Sequence, residues 1–287
     1  MMIYNAALVL EGGGMRSAYT QGVLDYFIEN DIDFNYIVGV SAGVGCAMNF
    51  ITKQKGRAIK LGVDYASDKR VVGLQCWLKN RQFFNLDVLY NILDKEVFFD
   101  EEAFKKSKTI LKTGCFNLGT GNVDYFDKEA LVLSKDPVIA SNSLPLLSKI
   151  VKINGNKYLD GGMKDSIPLN KAIADGNKKA IIILTNPIDY VRQKESTLWL
   201  MKIFYRKYPL LLDAMSKRHI VYNDMVKKIN KMADNNEVFV IRPSKKLNVT
   251  RYSKDKETLM EAYHQGISDA KANHQALLHY LKGDPSA

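Results

Sequence analysis

The chain contains the stretch Tyr36-Ile37-Val38-Gly39-Val40-Ser41-Ala42-Gly43, in which an apolar run leads into a Gly-x-Ser-x-Gly pentapeptide. A helix-like stretch, residues 44–51, follows directly. Strand, sharp turn and helix form the context in which a nucleophile elbow exposes a serine hydroxyl. Gly39 and Gly43 allow the bend because they have no Cβ, and Ser41 lies at a helix N-terminus that favours developing negative charge. The stretch predicts a strand–turn–helix unit and indicates a serine hydrolase.

Strands and helices alternate on both sides of this elbow. Residues 6–11 and 35–40 are typical of buried strands, and residues 17–29 and 42–53 are typical of helices. This order predicts parallel strands joined by right-handed crossovers, with the first two strands as neighbours. Further strands are expected over residues 108–118, 123–133, 150–159, 179–184 and 237–242, with mainly helical structure over 54–108 and one or two long helices over 252–282. Residues 1–287 are expected to form one α/β domain with peripheral helices.

The composition favours a globular cytoplasmic protein. With 287 residues, 46% of them hydrophobic, the chain can build a full core, and its 7 prolines and 10% aromatic residues argue against disorder. Cys46, Cys76 and Cys115 are odd in number and far apart, so neither a disulfide framework nor a zinc site is expected. The N-terminus lacks a basic region, and no stretch reaches about 18 apolar residues, so we expect neither a signal peptide nor a membrane-spanning helix.

The net charge of +10 is concentrated in residues 192–231, where ten Lys or Arg and three Asp or Glu give +7. Apolar residues such as Trp199 and Phe204 are interleaved with these charges. This mixture suits an anionic membrane surface, although a helical pair with a solvated basic face has the same composition. We predict peripheral contact with anionic membranes. No nucleic-acid reader motif is recognisable, so no nucleic-acid partner is expected, and the sequence carries no signal for an oligomeric state.

A serine nucleophile needs an oxyanion hole and a base. The run Gly12-Gly13-Gly14 follows the first strand and can direct its amides at one point, with the charge of Arg16 nearby. The base can come from four histidines or from Asp160, which lies in an Asp-Gly-Gly turn. The histidines are His219, His264, His274 and His279. Most of them fall on predicted helices, where surface positions are typical, whereas a sheltered carboxylate held against the serine hydroxyl can act as base.

Four motifs, in order, resemble those of the patatin-like phospholipase family. Gly12-Gly13-Gly14-Met15-Arg16 resembles its oxyanion loop, and Gly39-Val40-Ser41-Ala42-Gly43 resembles its nucleophile elbow. Asp160-Gly161-Gly162 resembles its dyad motif. The stretch Ala140-Ser141-Asn142-Ser143-Leu144-Pro145 resembles a further block of the family, in which Ser141, Asn142 and Pro145 are expected to shape the site. The resemblance covers residues 6–174 and weakens from Asn186 onward, with one departure at Ser17, where the family usually has glycine.

This resemblance implies a three-layer α/β/α fold with a mainly parallel central sheet, its motifs in residues 6–174 and a C-terminal extension over 186–287. It also implies a Ser–Asp dyad without histidine, in which Ser41 is the nucleophile and Asp160 the base. The implied reaction is hydrolysis of a lipid ester, of phospholipase A or lysophospholipase type, through an acyl-enzyme and without metal or cofactor. We expect the acyl pocket to be lined by residues 70–100 and 195–215, where apolar residues are dense.

Three other interpretations stay open. A Ser-His-Asp α/β-hydrolase would use His264 or His279 as base, but its elbow normally follows several strands, and here only one precedes it. A dinucleotide-binding domain would place an acidic residue at the end of the second strand, where this chain has Val40-Ser41. A non-catalytic lipid-binding protein would not need the full set of catalytic residues that the resemblance implies.

Overall fold

The computed structural model describes residues 2–65, 67–80, 82–91 and 93–283. The strands are β1 (Met2–Leu10), β2 (Ile32–Val40), β3 (Ile110–Asn117), β4 (Val123–Asp127), β5 (Val151–Ile153), β6 (Asn156–Asp160), β7 (Ala180–Ile183) and β8 (Phe239–Ile241). The helices are α1 (Ser17–Glu29), α2 (Ala42–Ile51), α3 (Arg57–Tyr65), α4 (Leu74–Asn80), α5 (Leu86–Asn91), α6 (Leu93–Glu96), α7 (Glu101–Lys106), α8 (Lys128–Leu133), α9 (Asp136–Asn142), α10 (Leu169–Ala174), α11 (Leu198–Phe204), α12 (Pro209–Asp234) and α13 (Lys256–Lys282). Two 3-10 turns, Gly14–Arg16 and Gly161–Met163, follow β1 and β6.

The described residues form one sheet in the spatial order β5-β6-β3-β2-β1-β7-β8, with β4 on the remaining edge of β3. The centre of the sheet, from β3 through β8, is parallel, whereas β4, β5 and β6 are antiparallel additions. The first two strands are neighbours, as their order along the chain predicts. Because parallel strands are buried on both faces, residues 6–10 of β1 form a continuous apolar run, and all five are buried.

Successive residues of β1 divide the core into two layers. Leu8 and Leu10 pack on one face, in a cluster with apolar residues of α1, α2 and α13. Ala7 and Val9 pack on the other face, in a cluster with apolar residues of α10 and α12. This alternation follows from the two-residue period of a strand. The predicted three-layer arrangement, a mainly parallel sheet covered by helices on both faces, is confirmed.

Strand β3 brings two strand ends together. Its residues 112–116 pair with β4 along one edge. Along the other edge, β2 pairs with β3 as far as Gly114, and β6 pairs with it from Cys115 onward. Since β2 is parallel to β3 and β6 is antiparallel, the C-terminal ends of β2 and β6 meet head to head. These ends are Val40 and Asp160, so the turns that follow both strands lie side by side.

Helix α13 packs directly on α1 through a pair of glycines. A Cβ on Gly22 would lie 2.0 Å from the Tyr263 carbonyl oxygen, and a Cβ on Gly266 would lie 2.1 Å from that of Tyr19. Each crossing helix thus needs glycine where the other backbone approaches. Polar bonds flank the crossing, because the Tyr263 hydroxyl donates to Asp25 and the Tyr19 hydroxyl donates to Asp269. The C-terminal helix is therefore fixed against the first helix of the chain.

One expectation about a single element is corrected. Residues 123–133 do not form one strand, because pairing with β3 ends at Asp127 and α8 begins at Lys128. In that helix Leu131 is buried whereas Leu133 is 87% exposed, a helical rather than a strand pattern. Of the one or two long helices expected over residues 252–282, the structure has one, α13, which begins at Lys256 and is capped by the Asp255 carboxylate. In the parts of the chain that are described, no helix combines the length and apolar character needed to cross a bilayer.

Candidate active site

Ser41 occupies a strained turn between β2 and α2. Its φ and ψ are 54° and −137°, a conformation that non-glycine residues rarely adopt and that is common at functional sites. Both flanking glycines are required by close approach. A Cβ on Gly39 would lie 3.2 Å from the Gly43 carbonyl carbon, and a Cβ on Gly43 would lie 3.0 Å from the Leu10 carbonyl oxygen. The pentapeptide thus has the geometry of an elbow, with Ser41 only 9% exposed.

The glycine loop after β1 lies against this serine. A Cβ on Gly12 would be 3.0 Å from Ser41 Cβ, so glycine is needed for the contact, and Gly14 has a left-handed φ of 57°. The amide of Gly12 donates to the Ser166 carbonyl oxygen, and that of Met15 donates to Arg251. The Gly12 amide is therefore not directed at the site, contrary to the expectation for three converging glycine amides. Among the described residues, the amides of Gly13 and Gly14 have no hydrogen-bond acceptor.

The charged end of this loop is directed away from the serine. Arg16 donates from Nη1 to Asn186 Oδ1 at 3.0 Å, and its guanidinium lies 6.0 Å from the centre of the Tyr190 ring. Its amide donates to the Gly13 carbonyl oxygen. Arg16 therefore braces the loop from outside, rather than lining the cavity beside Ser41.

Asp160 ends β6 and faces Ser41 across the junction described above. It is 2% exposed, and its carboxyl lies close enough to the Ser41 hydroxyl for that hydroxyl to lower the carboxyl pKa. The Gly162 amide donates to Asp160 Oδ1 at 2.7 Å, and the Asp160 amide donates to the Ser143 carbonyl oxygen at 2.8 Å. A Cβ on Gly161 would lie 2.4 Å from the Gly114 carbonyl oxygen, so this turn is closed tightly onto β3. Register and turn together hold the carboxyl beside the hydroxyl.

Burial dominates the ionisation of Asp160. Desolvation raises the pKa of its carboxyl above the ordinary value, against the hydrogen bond from Ser41, the positive charge of Arg218, the Gly162 amide and the charge of Arg251. A carboxylate with a raised pKa is a stronger base toward a hydroxyl. The arrangement can therefore accept the proton of Ser41 when that oxygen attacks a substrate.

The block of residues at the end of α9 contributes unequally to the site. Ser141 is central, because its Oγ accepts from the Ser41 amide at 2.9 Å and donates to the Gly114 carbonyl oxygen at 2.7 Å. It thus links the elbow to β3, the strand that pairs with β6 at Asp160. Asn142 lines the cavity and donates to the Val138 carbonyl oxygen. Pro145 is not among the residues lining the cavity and lies in the turn that follows α9, next to Leu146 with its φ of 67°.

Ser41 opens into an apolar cavity of about 230 Å³. One wall comes from residues 71–99, as expected, with Val72, Phe84 and Leu89 among them. The expected wall from residues 195–215 is wrong, because α11 presents its apolar side chains elsewhere and none lines the cavity. Helix α3 and residues 251–254 form that part of the wall instead. The apolar lining fits an acyl chain better than a charged or sugar group.

The histidines lie away from this site. None of the four lines the cavity, and none forms a hydrogen bond with Ser41 or Asp160. Three of them are on α13, where His274 packs edge-on against Tyr26 and His264 lies against Tyr263. His219 is on α12 beside Arg218. A Ser-His-Asp arrangement has no geometric support in the described residues.

Two arginines of the site were missed by the sequence reasoning. Arg218 donates from Nε to the Gly162 carbonyl oxygen at 2.7 Å, and Arg251 lines the cavity. The signal for Arg218 is its spacing, since it shares the buried stripe of α12 with Leu211, Met215 and Tyr222. A charged residue on an otherwise apolar stripe is buried only with a partner. Arg251 lies in an irregular segment, and no local pattern identifies it.

The comparisons with known proteins identify the family of the chain. A family model for patatin-like phospholipases matches residues 8–173, more than half of the chain and inclusive of all four motifs. The chain belongs to the patatin-like phospholipase family. The resemblance drawn from the motifs is confirmed. A second family model, for a domain of unknown function (DUF6363), matches residues 208–282 of this patatin-like protein.

Two relatives and one solved structure are similar to large parts of this chain. The uncharacterized protein YjjU of Escherichia coli is 27% identical over 273 residues, which cover 91% of this chain and 74% of that protein. The probable lipid hydrolase 463L of invertebrate iridescent virus 6 is 28% identical over 197 residues, or 61% of this chain and 66% of that protein. The crystal structure of VipD from Legionella pneumophila aligns with 94% of this chain and 67% of its own, at 12% identity and a TM-score of 0.44.

Proposed function

We propose that this patatin-like protein is a serine lipid acyl hydrolase, of phospholipase A or lysophospholipase type, with Ser41 as nucleophile and Asp160 as base. The observation that carries the proposal is the position of the Ser41 hydroxyl beside the buried Asp160 carboxyl, close enough to lower the carboxyl pKa, at the edge of an apolar cavity. Family membership supports lipid hydrolysis, and one relative is named a probable lipid hydrolase. In this proposal neither reacting group is a histidine.

The first half of the reaction acylates the serine. The Ser41 Oγ attacks the ester carbonyl carbon while its proton passes to Asp160. The carbonyl oxygen becomes an oxyanion, for which the amides of Gly13 and Gly14 and the first amides of α2, beginning at Ala42, are the available donors. The tetrahedral intermediate then collapses, and the departing alcohol takes the proton from Asp160. The acyl chain remains esterified to Ser41 and lies in the apolar cavity.

The second half releases the fatty acid. Water attacks the acyl-Ser41 carbonyl and gives its proton to Asp160, which returns it to Ser41 Oγ as the ester bond breaks. Each half thus uses the same carboxyl once as a base and once as an acid. The buried position of Asp160 favours this exchange, because a raised pKa brings its proton affinity closer to that of the reacting oxygens.

The direct test is fatty acid release by the purified protein. Phospholipid, lysophospholipid and neutral glyceride with the same acyl chain would be presented in one mixed micelle, and the released acid measured by mass spectrometry. We expect turnover of at least one of these esters, with the acyl chain and not the headgroup cleaved. Absence of turnover on all three, with lipid binding retained, would instead support a non-catalytic lipid-binding protein.

We further propose that an apolar and basic face beside the cavity docks the enzyme on anionic membranes. On α11, Trp199 and Phe204 are 66% and 68% exposed, and Lys202, Arg206 and Lys207 are exposed around them. Exposed apolar side chains flanked by cations match the depth profile of a membrane surface, with the apolar groups inserted and the cations at the headgroups. The face therefore favours a lipid surface as its partner.

The docking face is connected to the cavity through the turn at residues 144–148. The Leu146 amide donates to the Tyr205 hydroxyl at the end of α11. The Leu147 carbonyl oxygen accepts from the amides of Phe83 and Phe84, and Phe84 lines the cavity. Helix α4 precedes this pair and carries the exposed Leu74 and Leu78. Apolar surface on α11 and on α4 thus flanks one hydrogen-bonded turn beside the cavity, where a docked lipid could reach Ser41.

Replacing Lys202, Arg206 and Lys207 together with glutamine is expected to weaken binding to anionic vesicles by about 100-fold. The reason is that each basic residue near such a surface contributes roughly 1 kcal/mol. Sedimentation with phosphatidylserine-containing vesicles at several salt concentrations measures the effect, and the slope against salt should fall with it.

Lys227, Lys228 and Lys231 provide the matched control for this prediction. They are exposed, carry the same total charge and lie in the second half of α12, away from the turn at 144–148. Their replacement with glutamine should leave vesicle binding nearly unchanged. Equal losses in the two triple variants would mean that net charge, and not this face, determines membrane binding.

A further inference from the structure

The segment that matches a domain of unknown function reaches into the hydrolase site. Arg218, on α12, donates from Nε to the Gly162 carbonyl oxygen at 2.7 Å. The position of a Cβ on Gly162 would lie 3.1 Å from Asp160 Oδ1 and 3.7 Å from Arg218 Nη2. The guanidinium and the carboxyl therefore lie on the same side of the Asp-Gly-Gly turn. Within the segment, Arg218 is buried, which makes its charge effective over this short distance.

Arg251, in the loop between β8 and α13, reaches the site from the other side. Its carbonyl oxygen accepts from the Met15 amide at 3.2 Å, and its Cγ would lie 2.7 Å from a Cβ on Gly14. The residue thus packs on the oxyanion loop and lines the cavity that contains Ser41. Its guanidinium has no hydrogen-bond or ion-pair partner among the described residues. Two cations of residues 208–282 therefore border the candidate site, Arg218 at the Asp-Gly-Gly turn and Arg251 at the glycine loop.

Few acidic groups balance these charges. Glu195 lies 4.0 Å from Arg218 Nη1, and Glu11 lies 3.9 Å from Nη2 of Arg192, which is buried over the Tyr222 ring. Around Asp160 itself, β3 contributes the buried thiol of Cys115 and α9 contributes the uncharged Ser141. The charges nearest to Asp160 are thus positive, and they come from the C-terminal segment.

We propose that residues 208–282 complete the patatin-like active site, with Arg218 as a positioning residue for Asp160 and with the charges of Arg218 and Arg251 together favouring the carboxylate form of Asp160. The inference rests on the proposed function, in which Asp160 must be a carboxylate to accept the Ser41 proton. It assigns a role to residues 208–282, which match a domain of unknown function. In this inference the segment is part of the catalytic unit rather than an appended module. The contact of α13 with α1 and the place of β8 in the sheet agree with this assignment.

The proposed effect of the two arginines follows from the opposing influences on the pKa of Asp160. Burial raises the pKa of its carboxyl, and the charges of Arg218 and Arg251 act in the opposite direction. An opposite charge within a few ångströms typically lowers a carboxyl pKa by about 1 to 3 units. Without these cations, the pKa of the carboxyl would rise further, and a larger fraction of Asp160 would be protonated and unable to act as a base.

The test is the pH dependence of kcat for the full-length protein with a soluble p-nitrophenyl acyl ester. In the Arg218→Gln variant, we expect the acid limb of the profile to move to higher pH by about one unit. The loss of activity relative to wild type should then be about tenfold larger at a pH below the limb than at the plateau. Arg251→Gln should move the limb in the same direction. Arg218→Lys, which keeps the charge, should restore the wild-type limb even if the plateau is lower.

Two controls separate charge from positioning. Ser166 Oγ also donates to the Gly162 carbonyl oxygen, at 2.9 Å, so Ser166→Ala removes a neutral hydrogen bond from the same atom. This variant should lower the plateau without moving the acid limb. Lys246, exposed in the same segment, gives a Lys246→Gln variant with the same loss of charge and no expected change in limb or plateau. Thermal unfolding of each variant shows whether it is folded.

An acid limb that stays in place in both Arg218→Gln and Arg251→Gln, with turnover that still depends on Ser41, would overturn the inference and leave the proposed function intact. If no ester is turned over, the proposed function fails, and the ionisation of Asp160 can still be measured from stability. The quantity to measure is the difference in unfolding free energy between the wild-type protein and Asp160→Asn. This difference should fall as pH rises through the raised pKa of the Asp160 carboxyl. In the Arg218→Gln background this fall should extend to higher pH, and an unchanged curve would also overturn the inference.

Discussion

Replacing Ser41 with alanine is expected to lower kcat for lipid ester hydrolysis by about 10⁴-fold or more, because no acyl-enzyme can form. The remaining rate would come from water attacking an ester held in the cavity and polarised by the loop amides. The change should hardly affect stability, since the deleted oxygen leaves the buried Asp160 carboxyl its bond from the Gly162 amide. Fatty acid release at saturating substrate, with thermal unfolding of both proteins, measures the two effects.

The four histidines are the controls for this result. Single replacement of His219, His264, His274 or His279 with glutamine should leave kcat within about threefold of wild type, because none of them contacts Ser41 or lines the cavity. If a histidine variant instead loses as much activity as Ser41→Ala, a Ser-His-Asp mechanism operates and the Ser–Asp proposal is wrong. A fluorophosphonate probe that labels wild type but not Ser41→Ala would identify the nucleophile independently.

Local backbone patterns made part of this site predictable from sequence. The elbow at Ser41 requires glycines on both sides and a strand before it, and all of these are visible within a few residues. The loop at Gly12–Gly14 was found for the same reason, although the use of the Gly12 amide by Ser166 was not. That bond joins segments about 150 residues apart, and nothing in either segment indicates it.

Asp160 shows where the local patterns end. An Asp-Gly-Gly turn is common, so the sequence alone made Asp160 only one of several candidate bases, and the family resemblance selected it. The structure gives the physical reason for its place: β2 and β6 share one edge of β3 and end against each other at Gly114 and Cys115. Strand register over such distances depends on the whole sheet, and the sequence of β6 alone cannot specify it.

The expected pocket wall at residues 195–215 was wrong for a related reason. Density of apolar residues does not say which way a helix faces. On α11, Met201 is buried in the core whereas Trp199 and Phe204 remain exposed, so the helix turns its larger apolar side chains outward. Residues 251–254, with only one aromatic side chain, line the cavity because α13 is anchored against α1. The cavity is thus shaped by tertiary packing more than by composition.

Replacing Asp160 with asparagine is expected to lower kcat by about 10³- to 10⁴-fold while the protein stays folded. Asparagine has nearly the same size, and its Oδ1 can still accept the bond from the Gly162 amide, but it cannot take the Ser41 proton. In wild type, activity should fall as pH decreases through the raised pKa of Asp160, because only the carboxylate is a base. The variant should instead be slow at every pH. Profiles of kcat against pH for the two proteins measure this difference.

The stability of the same variant distinguishes a catalytic from a structural carboxylate. Because burial raises the pKa of Asp160, the native state binds the proton of this carboxyl more tightly than the unfolded state does. The carboxyl's contribution to stability is therefore lost as pH rises through the native-state pKa. At neutral pH the Asp160→Asn protein should therefore have a melting temperature equal to or above that of wild type, even though Arg218 loses a nearby negative charge. A large loss of activity at undiminished stability would mean that the fold keeps a buried charge for its chemistry. Activity within tenfold of wild type would show that Asp160 is not the base, and a lower melting temperature would assign it a structural ion pair with Arg218.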